Sequence, residues 1–324
     1  MTALAGQVAV VAGATRGAGR GIARMLGEAG ATVYCTGRSS RTAPRAHAHH
    51  YRDRPETIEE TAELVTAAGG AGIPIVVDHA DEAQVKALFA RVGEHHGRLD
   101  ILVNVLTHAP VADWSPFWQQ DVQEGHLLVD GWLWPHVITA RHALPLMIAG
   151  RSGLLVEIIE QEGIGYHGQV WFDLFHTALK RLAYAVAVEG ADHGITAISL
   201  TPGFMRTEAI LEQFGATEGT WKEVAVTNAE AKRWGLIASE TPCYVGRAIA
   251  ALAADPARAR FSGGVYSSAT LSEVYDFTDL DGSRPNMQRY LTQHHPELFV
   301  HKSGVARWDV TSPVPRAGSP QPQA

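Results

Sequence analysis

A hydrophobic run, Gln7–Ala12, passes directly into Gly13-Ala14-Thr15-Arg16-Gly17-Ala18-Gly19-Arg20-Gly21. Glycines at that spacing let a backbone turn sharply and come close to a ligand, and a helix that opens there offers unpaired N–H groups and a partial positive charge. A glycine triplet alone is an ordinary turn. Preceded by a strand and followed by a helix, it reads as a cradle for a dinucleotide pyrophosphate, with Gly13, Thr15, Arg16, Gly17, Ala18 and Gly19 lining it. The start Met1–Ala14 is mildly apolar but lacks a basic beginning, so it reads as a buried first strand rather than a signal peptide.

The rest of the chain repeats that alternation. Strands are expected at Gln7–Ala12, Thr32–Thr36, Ile73–Asp78, Ile101–Asn104, Leu154–Ile159, Thr196–Leu200 and Gly264–Ser267. Helical patterns fall at about Gly19–Glu28, Pro55–Ala68, Glu82–His95, Gln119–Ile148, Gln169–Ala191 and Cys243–Ala253. Pro55 suits a first helical turn, whereas Pro135 should kink or break the fourth pattern. This alternation predicts an α/β fold: one Rossmann-type domain over residues 1–302 with a doubly wound parallel sheet of seven strands. Arg38–Arg54 reads as an extended loop, and the Pro-, Gly-, Ser- and Gln-rich residues 303–324 as a disordered tail. His47-Ala48-His49-His50 has no carboxylate or cysteine to complete a ligand set, so no metal is expected.

Bulk properties exclude other classes. A formal charge of −7 argues against a nucleic-acid partner. No apolar run reaches the ~18 residues of a membrane span. Two cysteines, Cys35 and Cys243, are too few for a disulfide framework, and the cytoplasm is the expected location.

The spacing Gly13-x-x-x-Gly17-x-Gly19 resembles the short-chain dehydrogenase/reductase family, and further landmarks extend the resemblance over about Gly6 to Tyr290. Asp78, with His79 after it, stands where the family places an aspartate beside adenine. Leu99-Asp100-Ile101-Leu102-Val103-Asn104 is similar to the fourth strand and the first asparagine of the Asn-Asn-Ala-Gly motif. Thr201-Pro202-Gly203-Phe204-Met205-Arg206-Thr207 is similar to the Pro-Gly motif, which implies Pro202, Gly203 and Thr207 near the nicotinamide. The end, Ser262–Val265 through Asp279–Gly282, is similar to a subgroup with animal members. The resemblance also implies a mobile substrate lid over about 207–241, and a homodimer or homotetramer paired through the helices at Gln119–Ile148 and Gln169–Ala191.

After the second strand the chain reads Thr36-Gly37-Arg38-Ser39-Ser40, with no carboxylate to hold ribose hydroxyls. Arg38 can fork onto a 2′-phosphate, Ser39 can add a hydroxyl and Arg16 a second positive charge, so the expected cofactor is NADP(H). The family's Ser and Tyr-x-x-x-Lys are missing. Aligned through Ala178-Leu179, Leu182 and Ala187-Val188-Glu189, the helix puts Phe172 at the Tyr position and His176 at the Lys position, while Glu160 takes the Ser position and the helical asparagine falls near Trp132. Phe172 has no proton to give, and a general acid contributes about 10²–10⁴ in rate. Substitutes are Glu160, His176 (which can also hold ribose) and Tyr166. Each has a plainer role: capping a turn, anchoring ribose, lining the pocket. Trp114, Phe117, Trp118, Trp132 and Trp134 cluster on the substrate side and wall an apolar pocket in part. The leading expectation is an oxidoreductase with a relocated proton donor, acting on a carbonyl, imine or conjugated alkene of a hydrophobic small molecule. The alternatives are a redox-silent isomerase, cyclase or lyase using Glu160 and His176, and a non-catalytic scaffold.

Overall fold

The computed structural model describes residues 2–42, 54–107, 113–160, 166 and 168–295. The His47–His50 run and the residues 303–324 lie outside them. Seven strands form one sheet: β1 (Val8–Ala12), β2 (Thr32–Gly37), β3 (Ala71–Val76), β4 (Ile101–Asn104), β5 (Gly153–Ile158), β6 (Ile195–Thr201) and β7 (Val265–Ser267). Their order is β3-β2-β1-β4-β5-β6-β7, and every neighbouring pair is parallel. Parallel strands need helical crossovers that cover both faces, so the central strands are apolar on both sides. In β1, Ala9 and Val11 join one core with helix α1 (Gly17–Glu28), while Val8 and Val10 join the opposite core with α3 (Glu82–His96). β3 lies at an edge, where Pro74 removes no interior ladder bond.

The expected seven-stranded doubly wound sheet is the observed one, with ends shifted by one or two residues. Asp78 lies two residues beyond β3 rather than at its end. Pro55 is outside its helix: α2 (Ile58–Ala67) starts later, because the Thr57 hydroxyl accepts the Glu60 N–H and caps it. The long fourth pattern is broken, as Pro135 demands. α4 (Val122–Leu128) passes through a π-type turn, Val129–Leu133, into α5 (Trp134–Ala149), with Pro135 in its first turn. The widened turn sits where no N–H is available to continue the ladder. α6 (Val170–Gly190) returns the chain to β6.

Between β6 and α10 (Pro242–Ala254), where the lid is expected, lie three short helices: α7 (Glu208–Gln213), α8 (Trp221–Thr227) and α9 (Ala229–Arg233). Phe214, Trp221, Ala225, Ala231 and Leu236 make a core of its own. Phe214 and Trp221 are buried in that core, and Trp234 is half exposed. α11 (Ser268–Tyr275) and α12 (Met287–His294) close the described chain. No helix among the described residues is long and apolar enough to cross a membrane.

The turn joining β1 to α1 is tightly packed. A Cβ on Gly19 would collide with the Gly13 carbonyl, so Gly19→Ala is expected to cost at least about 2 kcal/mol. Gly150→Ala, which meets only ordinary contacts, should change stability by less than about 0.5 kcal/mol. Urea unfolding of the two variants decides this; equal midpoints would refute the packing argument.

Candidate active site

The strand order reverses between β1 and β4, and the carboxyl ends of these strands leave a crevice there. A cavity of about 580 Å³ fills it, running from the glycine turn past the ends of β2 and β3 to the start of α6. Gly13 (φ 91°) has no room for a side chain against the Val105 carbonyl, and its N–H and that of Ala14 both reach the Thr36 carbonyl, at 3.0 and 2.9 Å. The bend that aims α1 at the cavity therefore requires glycine. Gly17 opens α1, and its N–H is donated to the Glu208 carboxylate at 3.0 Å.

Of the residues expected at a cofactor, Gly13, Thr15, Arg16, Gly17, Ala18, Arg38, Ser39, Asp78, His79, His176, Pro202 and Thr207 line the cavity. Three do not. Gly19 packs behind the turn, and Gly203 donates its N–H to Glu240 at 2.9 Å. Asn104 is fully buried and donates to Glu157 at 2.8 Å, below the cavity floor. His79 contributes to the wall, but its ring points inward, bridging Thr36 and Thr139 at 2.8 Å each. Burial pushes that imidazole down to about 3, so it stays neutral.

At the β2 end, the Arg16 guanidinium lies 3.4 Å from Ser39 Oγ and 3.4 Å from Glu56, and Arg38 sits 4.0 Å from Asp78. Arg54 also lines this end, a residue that the sequence had placed only in a loop. It grips the buried Glu56 (Nη2–Oε1 2.6 Å) and reaches Glu212 on α7. Burial raises the Glu56 carboxyl, but the Arg54 hydrogen bonds and the charges of Arg54 and Arg16 outweigh it and hold Glu56 below its usual range. Three guanidinium groups thus converge on one end of the cavity.

The other end is built from β5 and α6. Gln169 caps α6 by accepting the Phe172 N–H at 2.7 Å, which fixes the first turn. Phe172 lines the cavity, its ring 4.4 Å from that of His176 and 6.1 Å from that of Trp132. The Glu160 N–H donates to His176 Nδ1 at 3.1 Å. A ring nitrogen that accepts carries no proton, so the neutral ring bears its hydrogen on Nε2 as a donor. Glu160 is exposed toward the cavity mouth, yet protein crowds its carboxyl, and that desolvation pushes it above the ordinary value. Glu160 and His176 thus meet through the Glu160 backbone N–H. Tyr166 is exposed and is not part of the cavity wall. Among the clustered aromatics only Trp132 is buried; Trp114, Phe117, Trp118 and Trp134 keep more than half of their surface open.

Beneath this end lies a group that sequence reading missed. Glu157 accepts from Asn104 and is joined to His136 Nδ1, while His136 Nε2 meets the Leu106 carbonyl at 2.9 Å. All three side chains are buried. An acidic residue in the middle of β5 was the available signal, because a carboxylate buried in a central strand needs partners on both sides.

A doubly wound sheet, a glycine cradle at its switch point and a cavity wall supplied by β5 and α6 define the architecture of a short-chain dehydrogenase. Residues 7–217 match the short chain dehydrogenase family, and the chain belongs to it. It is 33% identical over 308 residues to the human protein Dehydrogenase/reductase SDR family member 1, covering 93% of this chain and 90% of that one. The Mus musculus protein of the same name is 33% identical over 282 residues, covering 86% and 84%. A crystal structure of a short chain dehydrogenase from Mycobacterium thermoresistibile has the same fold, with a TM-score of 0.68 at 21% identity over 86% of this chain and 90% of that one.

The backbone after β6 is held by Glu240, which accepts the Gly203 N–H and the Ser268 hydroxyl (2.6 Å) in full burial. Burial pushes this carboxyl up to about 8, with Asp279 adding to the rise and Arg206 opposing it. A carboxyl whose folded pKa exceeds its unfolded value binds more protons in the folded state, so stability falls as pH rises from about 4.5 toward 8. Glu240→Gln, which keeps the acceptor, is expected to remove that fall and to melt higher than the parent at pH 8. Thermal melts of both proteins at pH 5 and pH 8 test it; parallel pH slopes would refute it.

Proposed function

We propose that the chain is an NADP(H)-dependent oxidoreductase whose proton donor is Glu160 instead of tyrosine, acting on a carbonyl, imine or conjugated alkene of a hydrophobic small molecule. The observation that carries the cofactor assignment is the convergence of Arg16, Arg38 and Arg54 with Ser39 at the β2 end of the cavity. Such a cluster suits a 2′-phosphate, and the position that would hold ribose hydroxyls in an NAD(H) site has no carboxylate. When bound, the nicotinamide supplies or takes the hydride. The chain's own residues do the rest. His176 offers its Nε2 hydrogen to a ribose hydroxyl, the role a lysine fills elsewhere in the family. Glu160, with its raised carboxyl, holds a proton at the cavity mouth for the atom that accumulates negative charge. Phe172, Trp132, Leu127 and Met205 exclude water and favour an apolar substrate. The linkage of Glu160 to His176 through the backbone supports separate roles over an acid–base pair in a redox-silent enzyme. We also propose a homodimer or homotetramer, supported by the exposed apolar stripe of Leu174, Tyr184 and Val188 along α6.

Two measurements test this. Arg38→Ala is expected to weaken NADPH binding by about 10–100-fold, the worth of a charge-assisted contact, with little effect on NADH. Fluorescence titration reads both; a parent protein that prefers NADH would overturn the assignment. Glu160→Gln should lower kcat by roughly 10²–10⁴ in assays of hydrophobic carbonyl compounds while leaving NADPH affinity unchanged. The parent rate should decline as pH rises past the Glu160 carboxyl, because the acid form is the donor. Full turnover by the variant would remove Glu160 from the role.

A further inference from the structure

The helix α7 carries Glu208 and Glu212, four residues apart and therefore on one face. Both carboxylates reach across to the opposite wall of the cavity. Glu208 Oε2 takes the Gly17 N–H at 3.0 Å, and its Oε1 lies 3.7 Å from Arg20 Nε. Glu212 pairs with Arg54, the arginine that lines the β2 end and whose remaining donors hold Glu56. Thr207 closes the joint, since a Cβ on Gly17 would lie 3.4 Å from its methyl group. One short helix thus brings one negative charge to the N-terminus of α1 and a second to the arginine cluster.

These are two donor sets of the same kind that a dinucleotide phosphate uses. A diphosphate at the glycine cradle needs the N–H groups at the start of α1, and a 2′-phosphate needs free guanidinium donors beside Ser39. A carboxylate and a phosphate cannot both accept the Gly17 N–H. We propose that Glu208 and Glu212 belong to the cofactor site as phosphate surrogates. They latch α7 over the cavity, and phosphate groups compete with them, so that cofactor entry frees α7 and the lid segment that follows it. The proposal rests on the NADP(H) reading for the identity of the natural competitor, but the latch itself rests on the two contacts.

The test compares the parent with Glu208→Gln, Glu212→Gln and the double variant. Glutamine keeps the length of each side chain and removes the charge, and neither position is in the core, so all four proteins should fold. Two readouts are taken: affinity for NADPH and for inorganic pyrophosphate by calorimetry, and amide hydrogen exchange of the segment 207–214. The double variant is expected to bind both probes about tenfold more tightly than the parent, with each single variant between, and to exchange faster at 207–214 without any ligand. In the parent, saturating pyrophosphate should produce the same faster exchange. If NADPH binds all four proteins equally and pyrophosphate leaves exchange unchanged, the latch is refuted while the cofactor reading stands. If pyrophosphate opens the segment but neither dinucleotide binds any of the proteins, the latch stands and the NADP(H) reading fails.

Discussion

The site depends on how closely the end of β1, the end of β4 and the first turn of α1 approach one another. Gly13 meets the Val105 carbonyl and Gly19 meets the Gly13 carbonyl with no space for a methyl group at either point. Because the strands are parallel and in register, with Val10 opposite Tyr34 on one side and Leu102 on the other, that joint also fixes where β2, β4 and β5 end. The arginine cluster follows β2, and Ile158, Ile159 and Glu160 lie at the end of β5. A shift of the joint would move both ends of the cavity together, so the positions of the arginine cluster and of Glu160 are coupled by packing.

Against that rigid joint, the electrostatics of the cavity are balanced by mobile-looking chemistry on the surface side. Arg54 is shared between Glu56, which is buried and structural, and Glu212, which is largely exposed. The first pairing holds the guanidinium in place; the second is solvent-screened and weak by comparison. An arginine held this way keeps its position while giving up one of its partners, which suits a group that must meet a ligand without rearranging. Arg16 is arranged in like manner between Glu56 and Ser39.

Much of this was legible in the sequence, for a physical reason. Parallel strands buried on both faces give short apolar runs, and a phosphate cradle needs glycine, so the strand set and the residues Gly13 to Gly19 follow from local chemistry alone. Phe172, His176 and Glu160 were placed through helix and strand rhythm, and all three line the cavity. What could not be read depends on partners distant in the chain. Arg54 acquires its place through Glu56 and Glu212, the latter 158 residues away. His79 looked like a ligand contact, but its ring serves Thr36 and Thr139. Asn104 matched a motif position, yet its amide is committed to Glu157.

The Asn104–Glu157–His136 group bears on whether replacement of the usual tyrosine and lysine amounts to decay. His136 Nε2 faces the Leu106 carbonyl oxygen and must carry hydrogen there, while its Nδ1 meets one Glu157 oxygen. The remaining carboxylate oxygen is met by the Asn104 amide. Loss of any member would leave a buried donor or acceptor unmet, at about 1–3 kcal/mol. The group spans β4, β5 and α5 and ties down Leu106, which lines the cavity. A chain that had merely lost its chemistry would have no need of three mutually dependent polar residues beneath the reaction end, where apolar packing would stabilise the sheet as well. The three residues hold the floor through mutually dependent contacts, while Phe172, His176 and Glu160 line the cavity itself.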